Sequence, residues 1–233
     1  MKINDINKKS GKLDFPFYDD NPKLSVKQWL VLFAGVVIFV CFIIFPNDNP
    51  IYLNSILMFL IMFIPVTIVT KGKLGYLFKM PKLKDLVLVI FLLIGYLIYS
   101  IIMITILSHF GIETVQDQIL NTNMDFITVI SILFQLVGEE LIKIIPFLMI
   151  THILYKYSQN RKLSIAISLI IILIFFGLMH YEAYSGNIAQ IILIIGFGSF
   201  FNMLAYLKTK NATVSYLYHL ILDIFPILLT LLI

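Results

Sequence analysis

The sequence predicts an all-α fold, a polytopic integral membrane helical bundle of about seven transmembrane helices with its N-terminus in the cytoplasm. Two observations carry this prediction. Of 233 residues, 60% are hydrophobic and only 13% are charged, and the mean hydropathy is +0.98; a soluble domain carries about a quarter charged residues. The basic residues also fall in alternate linkers between apolar runs, the pattern that the positive-inside rule gives a chain crossing a membrane repeatedly.

Residues 1–27 read as a polar cytoplasmic N-terminal arm bearing Lys2, Lys8, Lys9, Lys12, Lys23 and Lys27. They contain no apolar segment of the kind a cleaved signal peptide needs. Residues 28–233 read as the transmembrane domain. The first span, about 28–45, holds Cys41, the single cysteine, so no internal disulfide can form. The linker "PNDNP" at 46–50 has no Lys or Arg. The second span, about 51–70, leads to a linker with Lys71, Lys73, Lys79, Lys82 and Lys84. The third, about 86–107, leads to residues 108–125, which have no basic residue. The fourth, about 126–155, precedes Lys156, Arg161 and Lys162. The fifth, about 165–183, is followed by residues 184–186, again without a basic residue. The sixth, about 187–207, precedes Lys208 and Lys210, and the seventh covers about 213–233. Each run is long enough to cross a hydrocarbon core of roughly 30 Å. The alternation places the N-terminus in the cytoplasm and the C-terminus outside, in a multi-pass protein of the cell membrane with the lipid bilayer as its first partner. The net charge of +4 forms no basic face, so a nucleic-acid partner is not expected. No period of 20–50 residues suggests a repeat array.

Lys143 is the one Lys or Arg inside a predicted span, and it lies in "QLVGEELIKII" with Glu139 and Glu140. A charge at bilayer depth costs roughly 2.5–3.5 kcal/mol on insertion scales, so these three groups should face the bundle interior and pair. Glu139 to Lys143 is i,i+4 with the glutamate first, the favoured order, and Glu140 to Lys143 is i,i+3. The spacing therefore predicts Glu139 as the lysine's partner and leaves Glu140 for chemistry. Close carboxylates suit a general base. A purely structural ion pair is the plainer alternative. Two further polar sites follow. Phe176 and His180 share a face at i,i+4, as do His219 and Asp223, where the aspartate can orient the ring. His109 and His152 lie near span ends without such a partner and read as interfacial residues. "GFGS" at Gly196–Ser199 reads as small residues for close helix packing. Carboxylates and imidazoles on three spans suit the activation of water, with the histidines holding a metal or hydrogen-bonding an oxyanion.

These residues resemble the three motifs of the CAAX-protease and bacteriocin-processing family of intramembrane proteases (CPBP, or Abi). The family reads Glu-Glu-x-x-x-Arg, Phe-x-x-x-His and His-x-x-x-Asn/Asp. Here they stand as Glu139-Glu140-Leu-Ile-Lys-Ile144, Phe176-Gly-Leu-Met-His180 and His219-Leu-Ile-Leu-Asp223, over about residues 125–225. Ile144 occupies the position of the family's arginine, and Lys143 stands one residue earlier, a spacing that also resembles the PrsW-type membrane proteases. The resemblance implies an intramembrane endopeptidase. Glu140 would activate the attacking water with Glu139 assisting. His180 and His219 would bind a metal or the oxyanion, and Asp223 would orient His219. If a divalent metal such as Zn2+ is used, Glu140, His180 and His219 would be its ligands. The implied substrate is a membrane-associated peptide or protein, such as a prenylated tail, a bacteriocin or pheromone leader, or an anchored precursor. A non-catalytic member acting as a bacteriocin-immunity or regulatory protein is the alternative, favoured by the displaced cation. A transporter or proton relay would show inverted repeats, and none is visible. On straight helices His180 and His219 would differ in depth by about 15 Å at ~1.5 Å per residue, so a shared site requires a short, tilted or broken helix.

Overall fold

Each of the seven predicted spans is a helix in the computed structural model, which describes residues 14–19, 21–45, 47–117 and 125–232, the last stretch with side chains as far as Pro226. In chain order they are α1 (Val26–Ile44), α2 (Ile51–Thr70), α3 (Leu83–His109), α4 (Phe126–Ser158), α5 (Arg161–Leu178), α6 (Ile188–Thr209) and α7 (Ala212–Leu232). A 3-10 turn at Leu74–Tyr76 follows α2, and the described residues contain no strand. Five of the helices, α1, α2, α3, α5 and α6, are long and apolar enough to cross a membrane. The protein is a polytopic membrane helical bundle.

Local sequence sets the helix ends. Ser25 and Gln28 form a capping box on α1, Asp125 accepts from the Thr128 amide at the start of α4, and Asn160 accepts from Leu163 at the start of α5. The Asn160 cap starts α5 at Arg161, earlier than the predicted 165. The same helix stops at Leu178 rather than 183, and the chain turns through residues 179–187, with Ser185 and Gly186 at positive φ. α6 is not uniform. After one short turn it runs as a π-helix over Ile191–Gly196 and resumes as an α-helix at Ser199–Thr209. Such wide turns tend to mark functional regions.

α4 is the central helix: every residue from Gly138 to Leu148 is buried. α2 packs so close to it that a Cβ on Gly138 would stand 2.7 Å from the Met58 carbonyl oxygen. α5 and α6 meet at Gly177 and Gly196, where a Cβ on Gly196 would lie 2.7 Å from the Leu173 carbonyl oxygen. That contact accords with the small-residue reading of "GFGS". Phe91, Leu97, Ile98 and Ile101 of α3 are exposed, as a lipid-facing surface requires.

The two ends of the bundle differ. At one end, Asn211 accepts from the Lys79 amide at 2.9 Å and donates to its carbonyl at 3.0 Å. The described part of the N-terminal arm packs into this same end. Phe15, Phe17 and Tyr18 are buried, with the Phe15 ring against Phe147 and Tyr206 at 5.5 and 5.7 Å between centroids. Arg161 and Lys210 lie over the Phe15 ring, and Arg161 pairs with Asp14. His152 is not merely interfacial: it stacks on Trp29 and meets the Tyr18 carbonyl at 3.0 Å. At the opposite end Gln190 bonds both the amide and the carbonyl of Val115, at 2.7 and 2.8 Å, and Asn187 donates to the Glu113 carbonyl.

Candidate active site

Glu139 and Glu140 sit side by side on α4, and the roughly 100° step of a helix sends them to different places. Glu140 is wholly enclosed, at 0% exposure. Its Oε1 is 2.6 Å from Lys143 Nζ and accepts from His219 Nδ1 at 2.9 Å and Asn202 Nδ2 at 3.1 Å. Its Oε2 accepts from the Ser215 hydroxyl. Lys143, 1% exposed, also lies 4.4 Å from the centre of the Phe176 ring. A buried ion pair is tolerable only when further hydrogen bonds satisfy its remaining lone pairs and protons, and here α6 and α7 supply them.

The pairing expected from spacing is therefore reversed. Lys143 takes Glu140, not Glu139, because Asn202, Ser215 and His219 gather on the Glu140 side and make it the prepared site for charge. Glu139 instead lines a cavity of about 710 Å³ whose wall also includes His180, His219, Asp223 and Asn202. Gln135 Nε2 donates to Glu139 Oε1 at 2.7 Å, and Gln135 in turn accepts from the Ser55 hydroxyl at 2.7 Å. The free side of the carboxylate, Oε2, stands 3.7 Å from His219 Nε2. The other neighbour of that nitrogen is Asp223 Oδ2 at 3.2 Å.

His219 is thus the hub. One ring nitrogen meets Glu140, and the other faces Asp223 and Glu139. The first link fixes the ring against α4, and the second leaves its outer edge on the cavity. Of the five predicted site residues, Glu139, Glu140, His219 and Asp223 converge directly. His180 reaches the same cavity by another route. It stands in the turn beyond α5, its Nδ1–H donating to the Phe176 carbonyl at 2.8 Å. The Phe176 ring lies between the two histidines, at 4.6 Å from the His180 ring and 6.2 Å from the His219 ring. The early end of α5 answers the depth problem: a short helix brings His180 to the cavity wall.

The donor set expected for a metal, Glu140, His180 and His219, does not fit one. Both Glu140 oxygens are occupied by Lys143, His219, Asn202 and Ser215, and His180 is linked to neither partner among the described hydrogen bonds. No group of three or more His, Cys, Asp and Glu among the described residues is arranged to hold a metal ion. Gln135, Asn202 and Ser215 were not anticipated as site residues. Their signal was present as polar side chains within apolar runs, with Gln135 one turn before Glu139, but spacing along one helix does not show what a neighbouring helix supplies.

The fold and site define a class: a polytopic membrane protein with the carboxylates of Glu139 and Asp223 and two imidazoles on one internal cavity. Residues 121–225 match the model of the Rce1-like family, described as type II CAAX prenyl endopeptidases. That stretch, 105 of the 233 residues, is similar to the CAAX-protease family and contains Glu139, Glu140, His180, His219 and Asp223. No curated protein and no solved structure matches the chain.

Proposed function

We propose that the protein is an intramembrane endopeptidase of the cell membrane that hydrolyses a membrane-associated peptide or protein, with Glu139 as general base. The observation that carries this is the divergence of the two glutamates. Glu140 is saturated by four partners, whereas Glu139 faces the cavity beside His219.

A water held between Glu139 Oε2 and His219 Nε2 can hydrogen-bond both groups across their 3.7 Å separation. Glu139 takes one of its protons as the oxygen adds to the peptide carbonyl carbon, and passes that proton to the departing amine when the C–N bond breaks. His180 lies on the cavity wall with Nδ1–H held by the Phe176 carbonyl, so its Nε2 donates to the developing oxyanion when the ring is an imidazolium. Asp223 orients His219, and the Glu140–Lys143 pair holds it from behind. The buried oxygens Asn54 Oδ1 and Asn202 Oδ1, without a hydrogen-bond partner among the described residues, belong to side chains on the same wall.

The test is cleavage by purified protein in proteoliposomes. Glu139→Gln should lose activity by at least about 100-fold, the usual scale for general-base removal, with unchanged insertion and thermal midpoint. Retained cleavage would sink the assignment. A non-catalytic immunity or regulatory member is the second reading, favoured by Ile144, which is buried in the apolar core at the position of the family's cation. Protection of cells that survives Glu139→Gln would decide for it.

A further inference from the structure

The cavity is built asymmetrically along the bundle. The outermost residues on its wall are Asp117, from the linker after α3, and Glu182, Ala183 and Tyr184, from the turn after α5. These linkers are tied to each other through Gln190, Val115, Asn187 and Glu113, so they form one end of the molecule. Going inward, the wall passes Glu139, Lys143 and Asn202. It includes no residue from the linkers at the other end. There, beneath Lys143 and Asn202 by one helical turn, Phe147 and Tyr206 are fully buried, and Phe15 of the N-terminal segment is packed against both. The Asn211 and Lys79 bonds join the two linkers beside them. One end is a mouth, and the other is a plug.

The charges sort in the same way. Linkers and helix ends at the plugged end carry Lys71, Lys73, Lys79, Lys156, Lys208 and Lys210 among others, while by sequence residues 46–50, 110–125 and 179–187, between the other pairs of helices, have no Lys or Arg. Basic residues in short linkers mark the cytoplasmic side. The mouth and the basic linkers are on opposite faces of the same bundle.

We infer that the cavity is entered from the extracytoplasmic side, so that the substrate is a polypeptide segment presented at the outer membrane surface rather than a tail, prenylated or otherwise, presented from the cytoplasm. This rests on the hydrolytic reading for what happens in the cavity, but the direction of entry stands on charge and packing alone. A peptide bond reaching Glu139 passes Glu182 and Tyr184 first. A cytoplasmic tail would have to displace Phe15, Phe147 and Tyr206, all buried aromatics.

The experiment uses the full chain in intact cells, with Cys41→Ser as background and single cysteines read by a membrane-impermeant maleimide. Ala183→Cys, at the mouth, and Met179→Cys, on the cavity wall, should label before permeabilisation. Lys162→Cys, at the plugged end, should label only after it. Labelling of Lys162→Cys in intact cells, or failure of both Ala183→Cys and Met179→Cys to label until the membrane is opened, overturns the inference. The two readings fail separately: outward labelling with an active Glu139→Gln variant would keep the direction of entry and remove the proposed base.

Discussion

Lys143 has one carboxylate at i−3 and another at i−4, and it takes the first. The preference is not intrinsic to a helix, where both spacings bring charges together. It comes from Asn202, Ser215 and His219, which surround Glu140 and leave Glu139 to Gln135 and the cavity. Removing one partner of a buried pair leaves the other charge stranded, at a cost of roughly 3–5 kcal/mol, whereas removing both is often nearly neutral. Glu140→Gln should therefore lower the unfolding midpoint in detergent strongly. Adding Lys143→Met to it should restore most of the loss. A double variant as unstable as the single one would show that the lysine does not depend on Glu140.

At the scale of elements, the site depends on how closely helices approach. Gly138 precedes Glu139 directly and is the point where α2 touches α4. A methyl group there would lie 2.7 and 2.9 Å from the Met58 carbonyl oxygen and carbon, which are backbone atoms and cannot rotate away. Gly138→Ala should cost about 1–3 kcal/mol, the range for overpacking a tight contact. It should also lower cleavage, because Ser55 and Gln135 hold Glu139 across that contact. A wild-type midpoint and rate would mean that α2 and α4 separate freely. The π-helical stretch of α6 has a related role: it precedes Ser199 and Asn202 on the cavity wall and changes the register at which α6 presents them.

For the whole molecule, the N-terminal segment closes the basic end. Burial alone would raise the Asp14 carboxyl, but hydrogen bonds from Arg161 and Tyr18 outweigh it and hold the group below its usual 3.8. A carboxyl lowered on folding contributes its full stabilisation above the unfolded value and loses it as the pH falls through the lower folded value. Asp14→Asn should therefore cost up to about 1 kcal/mol at neutral pH, since the pair is partly exposed. Midpoints of wild type and variant, measured from pH 7 down through pH 3, should converge at the acid end. A constant gap between the two curves would place the variant's effect elsewhere.

The sequence by itself determined the class of fold and the helix count, and it singled out the candidate site residues. Apolar run length decides what crosses a membrane, and linker charge decides the expected orientation; both are local properties. The motifs named Glu139, Glu140, His180, His219 and Asp223 because ionisable groups are costly in apolar helices and stand out there. Span ends were legible where a cap such as Asn160 sets them, and less so at Leu178, where the turn through Ser185 and Gly186 sets the boundary. The tertiary structure alone decided which glutamate is locked and which is free. It also decided that Phe15 packs against Phe147 and Tyr206 at the basic end. These outcomes depend on groups from different helices meeting at hydrogen-bond distance, and periodicity along one helix carries no information about what the next helix presents.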